Sequence, residues 1–138
     1  MSVTIETTDD LASCLRLRRV VFIEEQGVSE ADEIDGLDNS CLHLLARDGA
    51  TPVGTARVLF DGEVAKIGRV CVLRSHRGTG LGAGLIRAAL AAAEGRARKA
   101  RLGAQVHALG FYEALGFTAV GPVFDDAGIP HRDMVQDL

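Results

Sequence analysis

The feature that most constrains this 138-residue chain is an apolar run that meets four alternating glycines and then a helical pattern. Residues 67–73 read Ile-Gly-Arg-Val-Cys-Val-Leu, glycines stand at positions 78, 80, 82 and 84, and an alanine- and leucine-rich segment begins at Leu81. A strand that turns through glycines into a helix leaves unpaired backbone N–H groups at the helix start. These groups and the helix dipole favour an anion, and we therefore expect a phosphate-bearing ligand here.

Composition limits the class of protein. The chain has 47% hydrophobic and 25% charged residues, which predicts a globular protein, and its length favours a single domain over residues 1–138. A net charge of -4 and the absence of Trp argue against nucleic acid as a partner. Cys14, Cys41 and Cys71 are scattered without a CxxC spacing, so we expect reduced thiols and no metal site. No signal-peptide pattern or long apolar run is present, and we expect a cytoplasmic protein with no membrane partner.

Periodicity and turn residues predict the order β-α-β-β-β-α-β-α-β-β. Asp48-Gly49 and Asp61-Gly62 are typical of tight hairpin turns, so three antiparallel strands precede the glycines. Thr8 or Asp9 is expected to cap the first helix, which ends near Gly27. The remaining expectations are a first strand at 3–6, an acidic loop or short helix at 30–38, strands at 41–47 and 53–60, a helix from 81 to about 95, a basic connector at 96–101, a strand at 102–108, a short helix at 111–115, and a closing hairpin of strands 117–123 and 131–135 with a loop at 125–130.

This order predicts an α/β (α+β) domain with a mixed, mostly antiparallel central sheet of six to seven strands. The helix after the glycines crosses over and makes the fourth and fifth strands parallel.

Three glycine-rich templates compete for the turn. The phosphate loop of nucleoside triphosphatases needs a Lys after its glycines, and none follows here. Gly78-x-Gly80-x-x-Ala83 matches the dinucleotide fingerprint, but that fingerprint follows a first strand and needs an acidic residue about 20 positions later, which residues 98–104 lack. The pattern Arg/Gln-x-x-Gly-x-Gly/Ala is met by residues 77–82 in the expected context, because an antiparallel meander precedes it and a helix follows.

Residues 77–82, together with Phe111-Tyr112-Glu113-Ala114-Leu115-Gly116-Phe117, resemble the GNAT superfamily of acyl-CoA-dependent N-acetyltransferases. Further segments resemble its ElaA-like subgroup. These are residues 21–28 (Val-Phe-Ile-Glu-Glu-Gln-Gly-Val), Glu33-x-Asp35-x-x-Asp38, His43-Leu44, Ile67-Gly68-Arg69-Val70 and Gly128-Ile129-Pro130-His131. The resemblance implies helices on both faces of the sheet and a splay between its fourth and fifth strands.

The resemblance also implies that acetyl-CoA is the co-substrate. The coenzyme would pair with the backbone of the fourth strand and lay its pyrophosphate on the glycine turn, where glycines allow close approach. Arg77 would either stabilise the turn or contact a phosphate. The implied coenzyme site comprises Val70, Cys71, Val72, Arg77, Gly78, Thr79, Gly80, Leu81, Gly82 and Ala83.

Acetyl transfer to an amine requires a neutral amine, a stabilised oxyanion and a protonated leaving thiolate. The resemblance assigns the general acid to Tyr112, the only tyrosine, and the oxyanion donor to the backbone N–H of Val72. A phenol can give a proton to a thiolate and regain it from water. The base is left open among His43, Glu33, Asp35, Glu63 and His107, or a water that two of them hold. Cys71 is expected to be a packing residue and not an acyl-carrying nucleophile.

The function that we expect is direct acetyl transfer from acetyl-CoA to a primary amine of a small molecule or peptide, by a monomer or homodimer. Two alternatives remain. The donor could be a different acyl-CoA, or the chain could be a coenzyme A-binding regulatory or interaction module with little turnover. The acidic residues between Glu30 and Asp38 form either a solvated loop or a negative rim that attracts cationic amines.

Overall fold

The computed structural model of the chain describes residues 3–138, and the element order expected from the sequence is confirmed. The strands are β1 (Val3–Thr8), β2 (Leu42–Asp48), β3 (Thr51–Asp61), β4 (Val64–Val72), β5 (Lys99–Gln105), β6 (Thr118–Asp126) and β7 (Ile129–Asp137). The α-helices are α1 (Leu11–Arg18), α2 (Glu30–Glu33), α3 (Leu81–Ala93) and α4 (Leu109–Ala114). A π-helical segment (Arg19–Glu25) continues α1, and short 3-10 turns span Asp38–Ser40, Arg74–His76 and Val106–Ala108.

The seven strands form one mixed sheet in the order β1-β2-β3-β4-β5-β7-β6. All neighbouring pairs are antiparallel except β4 and β5, which are parallel. The parallel pairing joins only Val64–Lys66 to Lys99–Arg101, at the beginning of both strands. Beyond these residues β4 and β5 separate, and the expected splay between the fourth and fifth strands is therefore present.

Helices cover both faces of the sheet, because alternate residues of a strand point to opposite faces. On β2, Leu44 and Ala46 join the core under α3 with Leu85 and Ile86, whereas Leu45 joins the core under α1. Leu85 and Ile86 are fully buried, and each stabilises the fold by about 1.5–3 kcal/mol. The α3 helix therefore holds the glycine turn against the centre of the sheet.

The start of α1 differs from the prediction. Asp10 caps the helix, because β1 continues to Thr8 and shifts the helix start along the chain. The Asp10 carboxylate accepts hydrogen bonds from the Ser13 N–H (3.1 Å) and hydroxyl (2.7 Å). Thr8, one of the two expected caps, instead accepts a bond from the Asp10 N–H (3.0 Å).

Boundaries in the second half also differ. The fifth strand ends at Gln105 and not at residue 108, because Val106–Ala108 form a 3-10 turn. The predicted basic connector is shorter, because Lys99–Arg101 pair with β4 and already form the start of β5. The closing hairpin is longer than predicted, because β6 reaches Asp126 and β7 begins at Ile129. The turn between them consists of Ala127 and Gly128, both with positive φ, as expected for a tight two-residue hairpin turn.

Candidate active site

A cleft of about 560 Å³ opens where β4 and β5 separate. Its walls come from β4, from the ends of β5 and the π-helical segment, from α2 and α4, and from the tip of the β6–β7 hairpin. Among its lining residues are Val70, Cys71, Val72, Gly82, Tyr112 and His131. The cleft therefore joins the glycine turn, the end of β4 and Tyr112 in one space.

The glycine turn needs residues without a side chain. Gly78 and Gly80 have φ values of +77° and +85°, in the left-handed region that L-residues rarely adopt. A Cβ atom at either position would meet no atom within 4 Å, so the space in front of the turn is open. A bulky ligand group can therefore approach the backbone closely.

Backbone donors at the start of α3 have no acceptors. The first hydrogen bond of this helix runs from the Gly84 N–H to the Gly80 carbonyl (3.0 Å). Within residues 3–138, the N–H groups of Leu81, Gly82 and Ala83 bond to no backbone carbonyl, and no side chain caps them. Three free donors and the positive end of a 13-residue helix form a site that fits a phosphate or pyrophosphate.

Arg77 stabilises the turn. Its Nε donates a hydrogen bond to the Val72 carbonyl oxygen (3.0 Å), and its Nη2 lies 2.9 Å from the Glu25 carboxylate. Of the two expected roles of Arg77, this contact corresponds to the first. The side chain connects the end of β4 to the π-helical segment on the other side of the cleft entrance.

The backbone at the end of β4 faces the gap between β4 and β5. The Leu73 N–H donates to the Val53 carbonyl on β3 (2.9 Å), and N–H groups along a strand alternate in direction. The N–H and carbonyl of Val72 therefore point away from β3. The carbonyl oxygen accepts the hydrogen bond from Arg77. A β-bulge lies just before this point, because Arg57 pairs with Gly68 while Thr55 pairs with Cys71. Arg69 in the bulge has a φ of +51°, a conformation that is uncommon for a residue other than glycine.

Tyr112 lies on α4 beside the glycine turn. Its ring packs edge-to-face against Phe111 (centroids 5.0 Å apart) and Phe117 (6.1 Å), which fixes its position. Burial raises the pKa of the phenol, so the hydroxyl stays protonated throughout the neutral range. A protonated hydroxyl in the cleft can act as an acid.

Three carboxylates of the acidic stretch are paired with arginines. Arg18 forms ion pairs with Glu33 (2.6 Å) and Asp38 (2.7 Å), and Arg57 bonds to Asp38 (3.1 Å) and Asp35. Arg18 and Glu33 are 1% and 4% exposed, so their charges are compensated inside the protein. The negative-rim interpretation is wrong for Glu33, Asp35 and Asp38, because arginines from α1 and β3 neutralise them, and the solvated-loop interpretation is wrong for the buried Glu33.

The candidate bases among the carboxylates are placed unfavourably. Glu33 lines the cleft, but Arg18 holds its carboxylate and the Arg69 Nε lies 3.4 Å away. Hydrogen bonds from Arg57 hold the pKa of Asp35 well below its usual range, which makes it a weak base. Glu63 precedes β4 and thus lies at the opposite end of this strand from Val72, roughly 30 Å away at 3.3 Å per residue. Distance alone rules out Glu63 as the base.

The two candidate histidines lie outside the cleft lining. His43 is buried on β2, where its Nε2 donates to the Asp38 carbonyl (2.8 Å). His107 is exposed in the 3-10 turn after β5, and its Nε2 bonds to the Gln105 side-chain oxygen (2.7 Å). A third histidine, His131, does line the cleft, although it is not among the candidate bases expected from the sequence.

This arrangement, with a sheet that separates beside acceptor-free amides at a helix start, is the one that the resemblance in the sequence implies for an acyl-CoA-dependent acyltransferase. The chain belongs to the GNAT acetyltransferase family, because the family model described as an acetyltransferase (GNAT) domain matches residues 20–138.

Individual relatives agree with the family. The Bacillus subtilis protein YjcF, described as an uncharacterized N-acetyltransferase, is 40% identical over 99% of each chain. The crystal structure of Escherichia coli ElaA matches with a TM-score of 0.86 and 30% identity over 98% of this chain and 99% of the other. An acyl-CoA N-acyltransferase from Pseudomonas aeruginosa matches with a TM-score of 0.85 and 33% identity over 98% of each chain. The resemblance found in the sequence is confirmed, and the chain is an acyltransferase.

Two further structural findings concern residues 3–138. No helix in this range is long and apolar enough to cross a membrane. No group of three or more His, Cys, Asp or Glu side chains in the same range is arranged to hold a metal ion.

Proposed function

We propose that this protein transfers an acetyl group from acetyl-CoA directly to a primary amine of a small molecule or peptide. The observation that carries the proposal is that Gly82, one of three residues with acceptor-free N–H groups at the start of α3, lines the same cleft as Tyr112. The amides that can bind a phosphate and the protonated phenol of Tyr112 can then contact the same substrate molecule.

In the proposed complex, the backbone from Gly78 to Ala83 binds the coenzyme pyrophosphate. The open space before Gly78 and Gly80 supports this assignment, because a larger residue there would keep the phosphates away from the amides. The backbone from Val70 to Val72, which borders the cleft, would pair with the pantetheine arm as an added strand would. The gap between β4 and β5 supplies the room for that arm.

The chemistry needs stabilisation of negative charge and a proton for the leaving sulfur. The Val72 N–H would donate to the thioester oxygen as charge develops on it, since this group points away from β3. Tyr112 would give its hydroxyl proton to the departing thiolate. Burial favours this role, because the raised pKa keeps the phenol protonated until the thiolate forms.

Direct transfer is favoured over an acyl-enzyme. Cys71 is the thiol closest in sequence to the proposed oxyanion donor, but it is only 5% exposed, and burial raises its pKa to about 12. Thiolate is the nucleophilic form of cysteine, and it is scarce at neutral pH for such a thiol.

The proposal extends to the domain organisation, the oligomeric state and the cellular location of the chain. Residues 1–138 would form a single acyltransferase domain, active as a monomer or homodimer. Its three free cysteines are consistent with a reducing, cytoplasmic setting.

The proposal is tested by release of free thiol from acetyl-CoA in the presence of a panel of primary amines and peptides. We expect thiol release that depends on the amine and an acetylated product in equal amount. Binding of acetyl-CoA without amine-dependent thiol release would instead support a coenzyme A-binding module. Replacing acetyl-CoA with longer acyl-CoA donors in the same assay tests the donor.

A further inference from the structure

We propose that His131 is the general base that takes the proton of the acceptor ammonium ion, an inference that rests on the acetyl transfer proposed above. Alkylamines are mostly protonated at neutral pH, so transfer needs a group that removes this proton. Histidine is the side chain whose ordinary pKa lies closest to neutrality.

The position of His131 follows from its strand pairing. His131 on β7 pairs with Gln105 on β5, and directly paired residues point to the same face of a sheet. On β5, Leu102 and Ala104 point into the core under α3, so Gln105 and Gly103 point to the α1 face. His131 therefore lies on the α1 face of the gap between β4 and β5.

Gly103 lies beside the imidazole, and the distances there are those of ordinary van der Waals contact. A Cβ atom on Gly103 would lie 4.0 Å from His131 Cδ2 and 3.6 Å from Phe124 Cζ. The Phe124 and His131 rings stack with centroids 6.0 Å apart and an interplanar angle of 26°. The ring is thus held over β5 at the wall of the cleft.

Tyr112 packs against the core under α3, on the other side of the sheet from His131. The proposed acid and base therefore lie on opposite faces, with the gap between β4 and β5 between them. This arrangement is compatible with acyl transfer, because the attacking nitrogen and the leaving sulfur are different substituents of the tetrahedral carbon and can be served by different groups.

Hydrogen bonding sets the tautomer of His131. Its Nδ1 lies 2.7 Å from the Ile129 carbonyl oxygen, which can only accept, so Nδ1 carries the hydrogen. In the neutral imidazole, Nε2 is then the unprotonated nitrogen with a free lone pair. Nε2 has no hydrogen-bond partner within residues 3–138, and it is accessible to solvent. A fixed ring with a free lone pair in a cleft meets the requirements for a base.

The charged groups around the cleft are balanced, with three of each sign. They are Asp32 and Glu33 on α2, Arg57 on β3, Lys66 and Arg69 on β4, and Asp126 on β6. The ion pair between Arg101 and Asp133 (2.6 Å) lies beside Gly103. Arg57, Arg69 and Glu33 are engaged with one another or with neighbouring charges. Asp32 and Asp126 carry carboxylates, and a carboxylate, with an ordinary pKa of about 4, is a weaker base than an imidazole. His131 is therefore the strongest candidate base of the lining.

The proposed step is balanced in atoms and charge. The ammonium ion gives a proton to His131 Nε2, and the freed lone pair of the amine attacks the carbonyl carbon of the thioester. The C–N bond forms, the C–S bond breaks, and the sulfur takes the proton of Tyr112. The second nitrogen proton returns to the Tyr112 oxygen through water, and His131 releases its proton to solvent. The products are an amide, a free thiol and one proton.

The test compares His131→Asn with the wild type in the thiol-release assay. Asparagine can still donate a hydrogen bond toward the Ile129 carbonyl, but it cannot accept the proton. We expect kcat/KM for primary alkylamines at pH 7 to fall by about 100-fold or more. The dissociation constant for coenzyme A and the melting temperature should stay close to the wild-type values.

The dependence of the activity loss on pH and on the basicity of the amine distinguishes a base from a structural residue. The deficit of His131→Asn should shrink as the pH rises, because more of the amine is then neutral without help. It should also be smaller for weakly basic α-amino amides than for alkylamines. Asp137→Asn is the control, because this carboxylate lies on the same strand, is 89% exposed and does not line the cleft, and it should keep wild-type activity.

Equal kcat/KM for His131→Asn and wild type would overturn the assignment, as would a deficit that is the same at every pH and for every amine. If wild-type protein releases no thiol with any amine of the panel, the proposed transfer itself fails and the assignment fails with it. The two failures are distinguishable. Failure of the proposed transfer shows as absence of thiol release by the wild-type protein, whereas failure of the His131 assignment alone leaves wild-type thiol release intact.

Discussion

The Arg77 guanidinium donates a hydrogen bond of 3.0 Å to the Val72 carbonyl oxygen, and so connects the glycine turn to the strand end that faces the gap. The same side chain bonds to Glu25 (3.0 Å). One residue therefore fixes the relative position of the proposed pyrophosphate site and the proposed oxyanion donor.

Replacing Arg77 should weaken coenzyme binding without unfolding the protein. Arg77→Met keeps much of the aliphatic length but loses the bonds to Val72 and Glu25. We expect the dissociation constant for coenzyme A to rise about 3- to 10-fold, the effect of losing roughly one hydrogen bond. Titration calorimetry measures it. Arg98→Met, which removes an exposed ion pair with Glu63, is the control, and equal affinities of the two variants would contradict the role of Arg77.

Tyr112→Phe should lower turnover and leave coenzyme binding nearly unchanged. A thiol is a fair leaving group, so we expect a loss near the lower end for general acids, about 100-fold in kcat. Because burial raises the pKa of Tyr112, the acid stays protonated as the pH rises through 9, and wild-type kcat should not fall over that range. Unchanged kcat in Tyr112→Phe would remove this residue from the mechanism.

Cys71→Ala should retain acetyl transfer to within a few-fold of wild type. The thiol packs with Cys14, Leu17 and Leu45 under α1, so its removal should cost about 1 kcal/mol of stability. Intact-protein mass spectrometry after mixing wild type with acetyl-CoA should detect no acetyl thioester. An acetylated Cys71 that disappears when amine is added would show a two-step transfer and contradict the direct mechanism.

Asp35→Asn should destabilise the protein in a pH-dependent way. The folded pKa of Asp35 is lowered by hydrogen bonds from Arg57, so its contribution is fully present above the unfolded pKa of about 3.9 and is lost as the pH falls below it. We expect a loss of about 1–2 kcal/mol in the free energy of unfolding at pH 7, and a smaller difference from wild type at pH 3.5.

Urea unfolding at both pH values measures this difference. Glu30→Gln is the control, because its pair with Arg19 is more than half exposed and should contribute little. A difference between wild type and Asp35→Asn that is the same at both pH values would show that the Asp35 carboxylate has no such linkage.

Local signals predicted much of the fold. Asp-Gly pairs at Asp48 and Asp61 fixed the hairpins, and the glycines from Gly78 onward predicted the strand, turn and helix that the structure contains. These features depend on residues that are close in sequence, where φ preferences and periodicity decide the conformation.

Long-range pairings could not be predicted in the same way. Arg18 and Glu33 are 15 residues apart, and an arginine on a helix does not reveal which carboxylate it will meet. For this reason the acidic stretch was expected to be solvent-facing. Glu63 is a candidate base in the sequence, whereas the geometry of β4 places it roughly 30 Å from Val72 at 3.3 Å per residue.

His131 illustrates a third case. The loop predicted at 125–130 placed it just outside a turn, whereas the strands extend to Asp126 and Ile129 and set its pairing with Gln105. The two turn residues set the hairpin register, and the register decides which face of the sheet His131 occupies. A shift of one residue would move its side chain to the other face.

The central claim, that the glycine turn binds the coenzyme pyrophosphate, is tested most directly with a matched pair of glycine variants. Gly80 and Gly95 have φ values of +85° and +79°, and a Cβ at either would meet no atom within 4 Å, so valine costs similar backbone strain at both. Gly95 lies beyond the C-terminal end of α3, away from the cleft.

Titration calorimetry of wild type, Gly80→Val and Gly95→Val should use both coenzyme A and pantetheine, which lacks the pyrophosphate. We predict that Gly80→Val alone binds coenzyme A at least about tenfold more weakly, a change of about 1.4 kcal/mol, while its affinity for pantetheine matches that of wild type. Equal affinities of all three proteins for coenzyme A would contradict the claim.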